Sequence, residues 1–236
     1  MSKKNNKNIW IVSDIDGTFM DHQYDFTPAL PTIELLKKNQ IPLIFCTSKT
    51  AAEVKKLRNE IGINDPYIVE NGAAIYGINN DNLEEWELIL GSSYKELRSL
   101  LDKISIEIGY QLRALNDLNR NEIKQLTGLH DKDIDLALDR HWSVPFLTPP
   151  SPYLEKLSDL QTKLNVNIYQ GNRMSHLLDK RSHKGKAVNR LKELFGGPTV
   201  YIIALGDSHN DLPLLQVADQ AVVIPGFDGP NKSLEI

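Results

Sequence analysis

Two carboxylates two positions apart, Asp14 and Asp16 in the run Asp14-Ile15-Asp16-Gly17-Thr18, stand directly after the short apolar run Ile9 to Val12. A buried strand ending this way puts both acids outside the carboxyl edge of a parallel sheet, where open α/β folds bind ligands. Side chains two residues apart share one side of an extended chain, so one carboxylate can attack while the other handles a proton. Gly17 permits a tight turn behind them. Taken alone, the same five residues also describe an acidic surface turn; a calcium loop fits less well, because its oxygen-ligand spacing and terminal glutamate are missing. A second acidic loop, Gly206-Asp207-Ser208-His209-Asn210-Asp211, follows another apolar run, Tyr201 to Leu205. Carboxylates at the ends of two strands suit a hard cation, Mg²⁺ in particular, which takes one or two carboxylates, waters and a substrate phosphate. His209 reads as an exposed loop histidine, since such a cation prefers oxygen to imidazole. Asn210 or Asp211 is expected to cap the helix that begins Asp211-Leu212-Pro213.

Two further segments carry chemistry. Thr47-Ser48-Lys49 closes the apolar run Ile41 to Cys46 and offers a hydroxyl and a cation at a strand's carboxyl end. The structural alternative is a helix N-cap, and neighbouring hydroxyls can divide the two roles. His183-Lys184-Gly185-Lys186 precedes the helical run Ala187 to Phe195; a lysine there can neutralise an anionic substrate or be part of a solvated surface. Cys46, the single cysteine, closes an apolar strand without an identifiable histidine partner and is read as core.

The elements that must position these residues alternate. Residues 28–39 place Ile33, Leu35 and Leu36 near helical spacing between the strand candidates 9–12 and 41–46, which is the rhythm of a parallel crossover. Thr50 to Ile61 predicts a helix with Val54, Leu57 and Ile61 on one stripe, ended by Gly62. Pro66 to Gly77 gives a third strand with a turn, and Tyr201–Asp207 and Ala221–Gly226 give two late ones. The expected fold is α/β, a doubly wound, Rossmann-like parallel sheet. Helical runs over 94–108 and 119–126 break the rhythm, which does not resume until Tyr201. Residues 83–178 are therefore read as an inserted unit of mixed α and β, with 1–82 and 179–236 forming the core. Within the insert the Pro-rich run 144–153 is read as a turn region ahead of a helix, and residues 1–8 as a loose polar arm.

Composition narrows the partners. The chain of 236 residues carries 27 Lys and Arg against 31 Asp and Glu, a net charge of −4, which lacks the basic stripe needed to bind nucleic acid. No apolar run reaches the roughly 20 residues of a membrane helix, and the N-terminus lacks a signal-peptide pattern. One cysteine cannot form an internal disulfide, so a reducing cytoplasm is expected.

In chain order, DIDGT, Thr47, Lys184 and GDSHND resemble the four motifs of the haloacid dehalogenase superfamily of phosphohydrolases, and the insert resembles its C2-type cap. CTSKT (46–50), ENGA (70–73), LALDRHWSVPF (136–146) and GNRMSHLLD (171–179) further resemble mannosyl-3-phosphoglycerate phosphatases. The resemblance implies that Asp14 is the nucleophile and Asp16 the acid and then the base. It implies Mg²⁺ held by Asp14, the Asp16 carbonyl and Asp207, with Asp211 binding through water or supporting Lys184. Thr47 and Lys184 would hold phosphoryl oxygens. In the cap, Arg140, Ser143, Arg173, Ser175 and His176 match the family's substrate-reading segments, and Lys49 and Asn71 match its core-side contacts, joined as substrate-binding residues by Ser48 and Asn210 beside two of the motifs.

An arginine fork suits the carboxylate of a phosphoglycerate ester, which makes Arg140 and Arg173 the expected readers of that group. Asn172, His141 and Trp142 depart from the family's usual residues, so the hexose, mannosyl or glucosyl, stays open. The expected partner is a small sugar phosphate, without nucleic acid or membrane; the oligomeric state is not legible. Rival readings are a sucrose-phosphate or general sugar phosphatase, a phosphomannomutase, and a non-catalytic binder of a phosphorylated ligand. The last has no need of a nucleophile and a proton shuttle together.

Overall fold

The structure, a computed structural model, describes residues 8–21, 23–79, 82–170 and 174–234. The polar arm expected at 1–8 therefore lies outside the described residues except for Asn8, which opens the first strand. Strand β1 (Asn8–Ser13), helix α1 (Leu30–Lys38), β2 (Leu43–Phe45), α2 (Ala51–Ile61) and β3 (Tyr67–Val69) follow the predicted alternation. Thr50 caps α2, accepting from the Glu53 amide while the Glu53 side chain returns to the Thr50 amide, and Gly62 ends it at φ 66°. The cap role is thus taken by Thr50 and not by Thr47.

A turn over Glu70–Gly72 leads into β4 (Ala74–Ile78), antiparallel to β3, and β4 pairs with β5 (Glu85–Ile89). The sequence reading opens the insert at residue 83, but Glu85–Ile89, just past that boundary, pairs with β4 and packs with the core. Trp86, Leu88 and Leu90 pack onto the core cluster of Trp10, Ile75 and Val200, because the alternation in Trp86-Glu87-Leu88 gives the strand one apolar face.

The chain then builds α3 (Tyr94–Ile108), α4 (Arg120–Thr127), α5 (Asp131–Leu138), β6 (Val144–Phe146), α6 (Ser151–Leu164), β7 (Val166–Gln170) and β8 (Ser175–Asp179). These strands form a separate antiparallel sheet in the order β6-β8-β7. Leu97, Leu101, Ile104 and Ile108 of α3 and Leu157 and Leu160 of α6 cover it, meeting Val144, Phe146, Val166 and Leu177. The Pro-rich run read as a turn region begins instead with β6. Pro145, opposite His176, is accommodated in a three-residue strand, and only residues 147–150 connect it to α6, which already takes in the end of the run.

Helix α7 (Lys184–Leu191), β9 (Val200–Gly206), α8 (Leu212–Gln216) and β10 (Gln220–Val223) complete the core. The parallel sheet runs β10-β9-β1-β2, and a parallel bridge from Cys46 to Ile68 continues it to β3. Alternation along each strand divides the apolar residues between two faces. Val12, Ile44, Cys46 and Ile202 meet α7 and α8; Leu43, Phe45, Tyr67 and Val69 meet α1 and α2 through Ile33, Val54 and Leu57. Helices on both faces force every strand's carboxyl end to open at one edge, and the acidic loops lie there.

Candidate active site

Asp14 continues the β1 ladder by one residue, its amide donating to the Leu205 carbonyl at 3.0 Å. The chain then turns tightly, the amides of Thr18, Phe19 and Met20 all pointing at the Ile15 carbonyl. Ile15 is fully buried under α2, and this anchors the turn between the two acids. Gly17 is required twice over: its φ is +80°, and a Cβ there would sit 2.6 Å from Asp207 Oδ2. The missing side chain brings the β1 and β9 loops together. Thr18 Oγ1 donates to Asp207 Oδ1 at 3.1 Å.

The carboxylates of Asp14, Asp207 and Asp211 offer oxygens that all lie within 4.8 Å of one another. Lys184, the first residue of α7 and 1% exposed, reaches Asp14 Oδ1 at 2.7 Å and Asp211 Oδ1 at 2.5 Å. His183 caps that helix, its Nδ1 accepting from the Lys186 amide. Burial and then Asp211 push Asp14 up to about 8, while Lys184 pulls it the other way. Burial alone would lower Lys184, but Asp14 and Asp211 outweigh it and its pKa is raised. Two carboxylates thus share one buried ammonium, with the Asp207 carboxylate beside them, and the cluster is short of positive charge. A hard divalent cation fits that donor set, which is all oxygen. The other Asp211 oxygen, Oδ2, accepts from the amides of Asp207 and Ser208, so Asp211 braces its own loop more than it caps α8.

Asp16 pairs with Lys49 at 3.0 Å through Oδ2, and its Oδ1 is buried without a partner. Burial disfavours the Lys49 charge, yet Asp16 and Glu53 outweigh it and raise its pKa. Asn71, at φ 57°, accepts from Asn210 Nδ2 at 3.1 Å, and its own Nδ2 is buried and unpartnered. Thr47 is fully buried; its hydroxyl accepts from the Lys49 amide at 3.2 Å. Cys46 is core, its thiol pushed up by burial.

A cavity of about 400 Å³ opens between this cluster and the insert. Asp14, Asp16, Ser48, Lys49, Asn71 and Asn210 line its core side, and Arg140, Tyr169, Met174 and His176 the insert side. Ser143 and Ser175 are buried behind that wall, bonded to Glu70 and Thr148. His176 is held neutral, pushed down to about 3 by burial and by the charges of Arg140 and Lys184. Its Nδ1 is buried without a partner. Arg173 lies outside the described residues.

The structure adds groups that the sequence reading left out. Tyr24 lines the cavity, stacks its ring 5.1 Å from Lys49 Nζ and donates to the Thr127 carbonyl. Glu53 holds the far side of Lys49 at 3.4 Å. Glu53 was findable, since Thr50-Ala51-Ala52-Glu53 has capping-box spacing at the start of a helix. Tyr24 carries no such signal.

The profile of the haloacid dehalogenase-like hydrolases matches residues 11–225, and the chain belongs to that family. A protein of Persephonella marina named glucosyl-3-phosphoglycerate/mannosyl-3-phosphoglycerate phosphatase is 34% identical, over 96% of this chain and 88% of its own. A protein of the same name from Methanococcoides burtonii is 35% identical, over 93% and 85%. A haloacid dehalogenase-like hydrolase from B. subtilis superposes with TM-score 0.67 at 16% identity, covering 91% of this chain and 88% of that one, which shows the fold. By its family and these relatives the chain is an enzyme, a phosphoric monoester hydrolase.

Proposed function

We propose that the enzyme is a Mg²⁺-dependent phosphatase that removes phosphate from a hexosyl-3-phosphoglycerate, glucosyl or mannosyl, to leave a hexosylglycerate that serves as a compatible solute in the cytoplasm. The observation that carries this reading is one cavity with Asp14, held from behind by Lys184, on its core side and Arg140 in its opposite wall. That spacing of groups suits a substrate with a phosphate at one end and a carboxylate further along. The names of the two relatives support the substrate class. The insert acts as the cap that reads the substrate. Among the described residues no helix is long and apolar enough to cross a membrane.

Lys184 engages Asp14 Oδ1, which leaves Oδ2 to attack phosphorus. The bond formed is Oδ2 to phosphorus; the bond broken is phosphorus to the C3 oxygen of the glycerate. Asp16 gives its proton to that leaving oxygen and then takes one from the water that hydrolyses the aspartyl phosphate. Lys49, at 3.0 Å, orients the Asp16 carboxyl between these steps. Asp14, the Asp16 carbonyl and Asp207 would hold Mg²⁺, with Asp211 beside them. A bound Mg²⁺ neutralises charge between an anionic nucleophile and an anionic phosphate. Lys184 and Thr47 steady the phosphoryl oxygens, Arg140 pairs with the glycerate carboxylate, and neutral His176 offers Nδ1 to a sugar hydroxyl.

The test is phosphate release from mannosyl- and glucosyl-3-phosphoglycerate, sucrose 6-phosphate and mannose 6-phosphate, each with Mg²⁺ and with chelator. Preference of about tenfold or more for a phosphoglycerate ester is expected. Turnover without that preference discards the substrate class, and turnover undiminished by chelator discards the metal. Asp14→Asn is expected to abolish release while the protein stays folded; release by the folded variant removes Asp14 as nucleophile.

A further inference from the structure

Glu70 touches none of the phosphate-facing groups, yet it is 1% exposed and held at φ 47°, a conformation that costs energy for any residue with a side chain. Its carboxylate accepts three hydrogen bonds, all from one turn of the insert. The His141 amide donates at 3.0 Å, the Trp142 amide at 3.1 Å and the Ser143 hydroxyl at 2.5 Å. With its hydrogen committed to Glu70, the Ser143 oxygen faces the other way as an acceptor. Arg140 Nη1 lies 3.3 Å from it, and the same nitrogen donates to the Ser48 carbonyl at 2.8 Å. A chain of polar contacts therefore runs from Glu70 through Ser143 to the guanidinium in the cavity wall.

Each end of that chain is fixed to the core. The Glu70 amide donates to the Lys49 carbonyl and the Asn71 amide to the Thr47 carbonyl, both at 2.9 Å, so Glu70 moves with the loops that carry the catalytic cluster. Trp142 adds a second anchor, its Nε1 donating to the Tyr76 hydroxyl at 2.9 Å. On the insert side the His141 carbonyl accepts from the Tyr94 amide, where the chain enters α3. The turn 141–143 thus belongs to the insert by sequence and to the core by its bonds.

We infer that Glu70 is a positioning residue: it clamps this turn to the core so that Arg140 is presented to a substrate carboxylate at a set distance from Asp14. The inference rests on the phosphoglycerate reading for the identity of that carboxylate. Glu70 acts through Arg140 and makes no contact with the reacting atoms. A guanidinium without the clamp keeps its charge but loses its register, because a long side chain on an unanchored turn samples many positions.

The experiment replaces Glu70 with glutamine, which matches it in shape but turns one acceptor oxygen into an NH₂ facing donors. In Glu70→Gln, kcat/KM for the preferred hexosyl-3-phosphoglycerate is expected to fall by about 30-fold or more, chiefly through KM. For p-nitrophenyl phosphate, which has no carboxylate, the fall is expected to stay within about threefold. In an Arg140→Ala background the same substitution is expected to cost less than about threefold further, since both changes remove one interaction. Equal losses on the two substrates, or full multiplication with Arg140→Ala, would overturn the inference and leave Glu70 a support of the fold. Hydrogen exchange at the His141 and Trp142 amides reads the clamp without any substrate, and acceleration by about tenfold is expected in Glu70→Gln. Unchanged protection refutes the clamp. If the wild type shows no preference for phosphoglycerate esters, the proposed substrate has failed, and the exchange result still decides whether the clamp exists.

Discussion

Lys184→Met keeps the length and apolar stem of the side chain and deletes the one ammonium that bridges Asp14 and Asp211, at 2.7 and 2.5 Å. Removing one partner of a buried ion pair costs about 3–5 kcal/mol, because the remaining charge stays uncompensated. Here the strain has an outlet. Burial and Asp211 already push Asp14 up to about 8 with the lysine in place, so in the variant a carboxyl of this cluster takes up a proton at neutral pH. The expected loss at pH 7 in chelator is therefore at the low end, about 3 kcal/mol, and it grows toward pH 9 as that proton becomes harder to hold. The sign follows from linkage: a folded variant that binds more protons than its unfolded chain loses stability as pH rises. Saturating Mg²⁺ at about 100 times its dissociation constant is expected to return about 2.7 kcal/mol. Adding Asp211→Asn, which removes one trapped charge, is expected to return about 1 kcal/mol or more in chelator. Urea unfolding followed by tryptophan fluorescence at pH 6, 7 and 9, with and without Mg²⁺, measures all of these. A loss below about 1 kcal/mol with no dependence on pH would refute the account of the cluster as carboxylates short of positive charge.

Gly17→Ala places a methyl group 2.6 Å from Asp207 Oδ2 at a φ of +80°, so it is expected to cost about 1–2 kcal/mol and to raise the Mg²⁺ half-saturation of turnover about tenfold or more; an unchanged half-saturation counts against Asp207 as ligand. His176 is pushed down to about 3, so the folded state binds fewer protons than the unfolded chain below the ordinary value of 6.5. Stability is therefore lost as pH falls, by about 2 kcal/mol between pH 7 and 5, and His176→Asn is expected to flatten that slope by the same amount in urea titrations. Thr50→Ala removes both the α2 cap and the bond to the Leu136 carbonyl and is expected to cost about 1–2 kcal/mol, while Thr50→Ser keeps most of it; equal damage by both would assign the loss to the methyl group.

Much of the core was legible because its signals are local. The apolar runs ending at Ser13 and Gly206 are strands whose carboxyl ends hold Asp14 and Asp207, as a doubly wound sheet requires. Helix α2 was readable down to its closing glycine, since the Val54, Leu57 and Ile61 stripe and Gly62 are sequence features. The strands of the insert were harder. Val144–Phe146 is three residues long and contains a proline, so its strand character comes from pairing with β8 and not from its composition. Glu85–Ile89 alternates as a strand should, but nothing in its residues says which sheet receives it; the packing of Trp86 and Leu88 against the core settles that.

The chemistry followed the same division. Residue type and chain order alone placed two acidic loops and a hydroxyl at strand ends, which a parallel sheet delivers to one edge; that a lysine ahead of a helix would join them was implied only by the family resemblance. Only the tertiary structure decided how they share charge: that Lys184 braces both Asp14 and Asp211, that Lys49 stands between Asp16 and Glu53, and that Thr47 is buried with its hydroxyl turned to the Lys49 amide. Glu70 is the sharpest case. Its partners stand more than seventy positions away, at His141, Trp142 and Ser143, and no periodicity or motif links residues that distant. Local sequence sets strand, helix and cap; contacts between far parts of the chain exist only once the insert has folded onto the core.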